Sequence, residues 1–157
     1  GRGDVALVEG KRGSIAAGAR LGDVLGVPPR PRALIPVDDG EVLTIGMRMF
    51  RAISVPGHTP GSTAWLFGHT LFTGDAVQGP GDGELYPGPL VFTDDYDAAY
   101  ASLRKLRDLD APIDRVLDGH FGATGDVKAK LRRAIARYDR GVDGSEQPLL
   151  RPIGCGG

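Results

Sequence analysis

His58, Asp75 and His120 share two features that suit them to hold a metal: each stands directly after a glycine, and each follows a short apolar run that reads as a strand. Strand ends are rigid and glycine lets the chain turn sharply there, so side chains from several strand ends can converge on one point. Two imidazoles and a carboxylate are donors for zinc or iron, and a carboxylate can bridge two ions because it has two oxygens. The gaps of 17 residues (75 − 58) and 45 residues (120 − 75) match no short zinc-finger or metalloprotease pattern, so position carries the reading rather than spacing.

The elements that must position these residues begin after Pro28-Pro29-Arg30-Pro31-Arg32, which reads as an extended crossing. Before it come the apolar run Val5-Ala6-Leu7-Val8 and a Ser14-led, glycine-interrupted helix with Ile15, Leu21, Val24 and Leu25. After the turn Asp38-Asp39-Gly40, residues 42–45 and 47–55 predict two strands joined near Gly46, the second ended by Pro56-Gly57. Residues 63–67 and 70–73 flank Gly68-His69, a two-residue connection suited to a type II′ hairpin. Residues 76–89 predict a Gly- and Pro-rich loop. Tyr96, Ala99, Tyr100, Leu103, Leu106 and Leu109 recur at helical spacing behind Thr93 or Asp94 as N-cap, and Pro112 follows. Residues 113–117 predict a strand, and Val127, Leu131, Ile135 and Tyr138 form the stripe of a second helix behind a Thr124-Gly125-Asp126 cap region. Residues 1–141 are thus read as one partial domain and 142–157 as a loose tail.

The segments Val55-Pro56-Gly57-His58-Thr59-Pro60-Gly61-Ser62, Leu71-Phe72-Thr73-Gly74-Asp75-Ala76 and Asp118-Gly119-His120-Phe121-Gly122 resemble, in order and surroundings, the third, fourth and fifth motifs of the metallo-β-lactamase-fold hydrolases. The resemblance covers about residues 42–138. It implies an α+β fold, mostly the C-terminal half of a four-layer αββα sandwich. It implies that His58 binds a first metal, Asp75 bridges both and His120 binds a second. It also implies a metal-bound hydroxide that attacks an ester, thioester, lactone or similar bond in a small-molecule substrate. Two divalent ions are expected in a complete domain, zinc first, with iron or manganese also suited.

The family's leading His-x-His-x-Asp-His motif is missing: the chain has three histidines and none precedes His58. Three donors shared between two ions leave each with one histidine and a half-share of Asp75, whereas catalytic zinc takes about three protein ligands and a water. Weak or no metal binding, and no catalysis by this chain alone, is therefore the expectation, with the chain read as a truncated C-terminal portion. Half a sandwich also leaves one sheet face bare, which invites pairing with a missing N-terminal half or with a second copy. A non-catalytic scaffold that oligomerises to cover its sheet is the alternative. A third reading, one ion held by all three residues as in mononuclear iron sites, ranks last.

Composition narrows the rest. With 19 basic and 20 acidic side chains and a net charge of -1, nothing recommends nucleic acid or an acidic membrane as partner. The basic residues of the last helix, Lys128, Lys130, Arg132, Arg133, Arg137 and Arg140, read as a solvated face diluted by Asp126 and Asp139. No apolar run is long enough to span a membrane, and the lone Cys155 suits a reducing compartment, so the cytoplasm is the expected location. His69 reads as a solvated turn residue, and Arg2-Gly3-Asp4 as a chance match to an adhesion tripeptide.

Overall fold

A computed structural model describes residues 1–11, 13, 15, 16 and 31–141. Most of the expected Ser14-led helix, the start of the proline-rich crossing and the tail lie outside these residues. The chain opens with a 3-10 turn at Arg2–Asp4 and one helical turn, α1 (Val5–Val8). A six-stranded sheet follows, built from β1 (Val42–Ile45), β2 (Arg48–Ser54), β3 (Thr63–Phe67), β4 (Thr70–Gly74), β7 (Arg115–Asp118) and β8 (Ala123–Gly125) in that spatial order. Between β4 and β7 lie the two-stranded β5 (Val77–Gln78) and β6 (Tyr86–Pro87), a 3-10 turn at Leu90–Phe92 and helix α2 (Tyr96–Asp108). Helix α3 (Val127–Asp139) ends the described fold. No helix among the described residues is long and apolar enough to cross a membrane.

The β1–β2, β2–β3 and β3–β4 pairs are antiparallel, whereas β4 and β7 are parallel. β2, β4 and β7 therefore run in one direction and end at the same edge of the sheet. The β3–β4 hairpin turns as its sequence predicts: Gly68 has φ +55° and His69 keeps a negative φ, the sign pattern of a type II′ connection.

One face of the sheet is the core. Ile53, Ala64, Leu66, Leu71 and Val116 lie against Tyr100, Leu103 and Leu106 of α2 and Val127, Leu131, Ala134 and Ile135 of α3. The helices supply these at spacings of three and four, the period that gathers apolar side chains on one stripe. Tyr100 and Tyr138 stack at 3.9 Å where α2 meets α3. Truncating a fully buried leucine such as Leu71 or Leu103 costs about 2–5 kcal/mol in cores of this kind. On the other face Leu43, Ile45 and Phe72 are exposed, while Phe50, Trp65 and Phe67 are half-buried, with the Phe50 and Phe67 rings stacked at 5.0 Å.

Three local expectations are corrected. The N-cap of α2 is Asp95, whose carboxylate accepts the Ala98 N–H at 2.9 Å, rather than Thr93 or Asp94. Thr93 instead turns its hydroxyl back onto the Gly88 and Pro89 carbonyls, and the Asp94 carboxylate accepts the Ile15 and Ala16 N–H groups. The expected loop over 76–89 contains β5 and β6. The expected cap region of α3 does hold the N-cap, Asp126 at φ +55° without a side-chain cap bond, but its Thr124 and Gly125 belong to strand β8, paired with β7.

Candidate metal centre

His58 leaves the end of β2, Asp75 the end of β4 and His120 the end of β7, so the shared strand direction delivers all three to one edge. Asp75 stands between the imidazoles. Its Oδ2 lies 3.7 Å from His58 Nε2 and its Oδ1 lies 2.9 Å from His120 Nε2. Each carboxylate oxygen thus faces a different ring. The side chains are open to solvent to increasing degrees, 21% for His58, 37% for Asp75 and 58% for His120.

The three glycines before these residues serve two different ends. Gly57 at φ +142° and Gly74 at φ +52° adopt backbone angles that other residues rarely take. Gly119 needs no such angle; it provides room, because a Cβ there would lie 2.7 Å from Asp75 Oδ1. Gly88 does the same from behind, where a Cβ would meet the Asp75 carbonyl at 2.7 Å and His58 Nδ1 at 2.9 Å. His58 Nδ1 is buried and has no hydrogen-bond partner among the described residues, so there this ring meets polar groups through Nε2.

The surrounding backbone is fixed by hydrogen bonds. The Asp94 and Asp95 N–H groups donate to the His58 and Gly57 carbonyls at 3.2 and 2.9 Å, which ties the His58 turn to the start of α2. Asp118 holds the other two turns together. Its Oδ1 accepts the His120 and Phe121 N–H groups at 2.8 and 2.5 Å, and its Oδ2 accepts the Gly79 N–H at 2.8 Å, four residues past Asp75. Asp118 is a site-shaping residue that its sequence context marks only in part. An aspartate two residues before His120 signals a side-chain turn, but its second oxygen's partner depends on the tertiary fold. His69 stays apart, its Nδ1 2.9 Å from Asp114 Oδ2 at the far end of the β4 hairpin.

The donor chemistry fits divalent ions, yet the count falls short. On each side of Asp75 the described residues supply one imidazole and one carboxylate oxygen, against the three protein ligands usual for a catalytic zinc. Among the described residues, no three histidine, cysteine, aspartate or glutamate side chains gather closely enough to hold an ion.

Comparison with known proteins points the same way as the motifs. The sequence profile of the metallo-beta-lactamase superfamily matches residues 4–120. Over 119 residues the chain is 35% identical to a hydroxyacylglutathione hydrolase of Cereibacter sphaeroides, covering 72% of this chain and 43% of that protein. Over 97 residues it is 34% identical to a probable polyketide biosynthesis zinc-dependent hydrolase of Bacillus subtilis, covering 59% of this chain and 40% of that protein. Among solved structures, a metallo-beta-lactamase family protein from Thermus thermophilus superposes with a TM-score of 0.58 at 26% identity, over 87% of this chain and 44% of that one. A protein crystallised in a di-iron-bound form, TTHA1623, superposes with a TM-score of 0.56 at 29% identity, over 84% of this chain and 60% of that one. The chain therefore spans less than half the length of these two curated relatives.

Proposed function

We propose, from the premise that this chain belongs to the metallo-beta-lactamase superfamily, that it is the C-terminal portion of a metal-dependent hydrolase acting on an ester, thioester, lactone or similar bond of a small molecule. His58, Asp75 and His120 are its contribution to a two-metal centre. The observation that carries this reading is Asp75 placed between two imidazoles, one carboxylate oxygen toward each Nε2. In such a centre the ions supply Lewis acidity and a nucleophile at neutral pH. The residues of this chain would hold the ions: His58 one, His120 the other, and Asp75 both. With two donors per position, this chain alone binds zinc weakly and does not turn substrate over.

Ring nitrogen–proton correlation spectra of the three histidines during zinc titration test the site. Zinc is expected to shift His58 and His120 while leaving His69 in place, and to shift none of the three in Asp75→Ala. Equal responses in wild type and Asp75→Ala would end the reading. Turnover of a thioester and lactone panel by the isolated chain, lost in Asp75→Ala, would show that this portion suffices after all.

The exposed Leu43, Ile45 and Phe72 favour a second reading, a non-catalytic scaffold whose sheet is covered by a second copy. A stable dimer whose three histidines ignore zinc would support it.

A further inference from the structure

The tripeptide Arg2-Gly3-Asp4 has both of its charged side chains engaged within the chain. The Arg2 guanidinium donates two hydrogen bonds of 2.7 Å to the Asp38 carboxylate, and the Arg2 N–H donates to the Val37 carbonyl at 3.1 Å. Asp4 reaches across to the turn that carries His58. Its Oδ2 accepts the Thr59 hydroxyl at 2.7 Å and its Oδ1 accepts the Gly61 N–H at 2.7 Å. The Thr59 hydroxyl also lies 2.9 Å from the Ser62 hydroxyl, which in turn accepts the Thr59 N–H at 3.0 Å.

Backbone packing makes the contact tight. A Cβ on Gly61 would lie 2.3 Å from the Asp4 nitrogen, and a Cβ on Gly3 would lie 2.5 Å from the Pro60 carbonyl oxygen. The two segments thus meet main chain to main chain, with the carboxylate inserted into the turn. On its other side the same turn is held by the Asp94 N–H on the His58 carbonyl. The Asp94 contact fixes where His58 begins the turn, and the Asp4 contact fixes how the following three residues close it. Between them the backbone on both sides of His58 is held, and among the described residues Nδ1 has no partner of its own to orient the ring. Metal-bound histidines ordinarily gain that orientation from a hydrogen bond at the second ring nitrogen.

We infer that Asp4 is a positioning residue for His58: by gripping Thr59 and Gly61 it aims Nε2 at Asp75 and takes the place of the missing ring hydrogen bond. The inference rests on His58 being a metal ligand for its functional meaning, and on the metal-free structure alone for the positioning itself.

The test uses the same ring-nitrogen spectra on Asp4→Ala and Thr59→Val, first without metal. Trp65 fluorescence and a thermal melt establish that each variant is folded. Expected are shifted ring resonances for His58 in both variants, unchanged ones for His69 and His120, and a double variant that moves His58 no further than Asp4→Ala does. Asp4→Asn, which keeps an acceptor oxygen, is expected to restore part of the wild-type His58 signal. In the zinc titration, Asp4→Ala is expected to need about 10-fold more metal to half-saturate the His58 shift. Should Asp4→Ala fail to fold, Thr59→Val carries the comparison, since it removes the hydroxyl and keeps the side-chain shape. His58 resonances that superimpose on wild type in a folded variant, or equal shifts at all three histidines, would overturn the inference. If wild-type His58 ignores zinc while the metal-free shifts appear as described, the ligand assignment fails and the positioning stands.

Discussion

Asp75 fits between two imidazoles because Gly119 has no side chain at the point nearest its Oδ1. Gly119 is exposed and has an ordinary backbone angle, so Gly119→Ala leaves the fold nearly untouched, within about 0.5 kcal/mol by chemical denaturation. The added Cβ displaces the carboxylate oxygen, and the zinc response of His120 is expected to weaken by roughly 10-fold or more in the ring-nitrogen titration. A wild-type response would show that Asp75 does not act on the His120 side. The residues that bring donors together were legible in the sequence because a glycine and a strand end mark each one. The hold of Asp4 on the His58 turn and that of the second Asp118 oxygen on Gly79 were not, since these rest on backbone N–H groups 57 and 39 residues away that the fold alone delivers.

At the scale of elements, one carboxylate joins the entry to the sheet with helix α2. Asp39, in the turn before β1, accepts the Ser54 N–H and the Lys105 ammonium at 2.7 Å each, and Lys105 also donates to the Ser54 carbonyl. The Lys105 hydrogen bond holds the Asp39 carboxyl below the ordinary carboxylate range, against the opposing effect of partial burial. A carboxyl depressed in the folded state stabilises the fold above its unfolded value of about 3.9, and the effect is lost as pH falls through the lower folded value. Asp39→Asn is therefore expected to lower the urea midpoint by a constant amount from neutral pH down to about pH 4, with the gap to wild type closing below that. A gap independent of pH would assign the loss to packing instead. The strands β1 to β4 and helices α2 and α3 were readable from period and turn residues. β5, β6 and β8 were not, because strands of two or three residues are too short to show a period, and their pairing partners fix them.

For the molecule as a whole, the two faces of the sheet differ: among the described residues helices α2 and α3 cover one, and the other carries exposed apolar side chains. Ile45 at 59% exposure and Phe72 at 37%, next to the half-buried Phe50, Trp65 and Phe67, form an apolar surface of the kind that marks an interface. The chain is expected to associate as its concentration rises in sedimentation velocity and to bind a hydrophobic dye. Replacing Phe50 and Phe72 together by serine should diminish both, and a wild-type chain that stays monomeric without binding dye would count against the face as an interface. The parallel pairing of β4 with β7 has a consequence in time. Within the meander, partners such as Trp65 and Phe72 are 7 residues apart (72 − 65), whereas Leu71 and Val116 are separated by 45 (116 − 71). Closing the longer loop costs about 1.6 kcal/mol more at about 0.6 kcal/mol per doubling, and distant pairings form late. His58 and Asp75 are consequently expected to come near one another in the local part of folding, and His120 to join them when the crossover closes. In a refolding experiment His120 should therefore reach its native ring resonance later than His58.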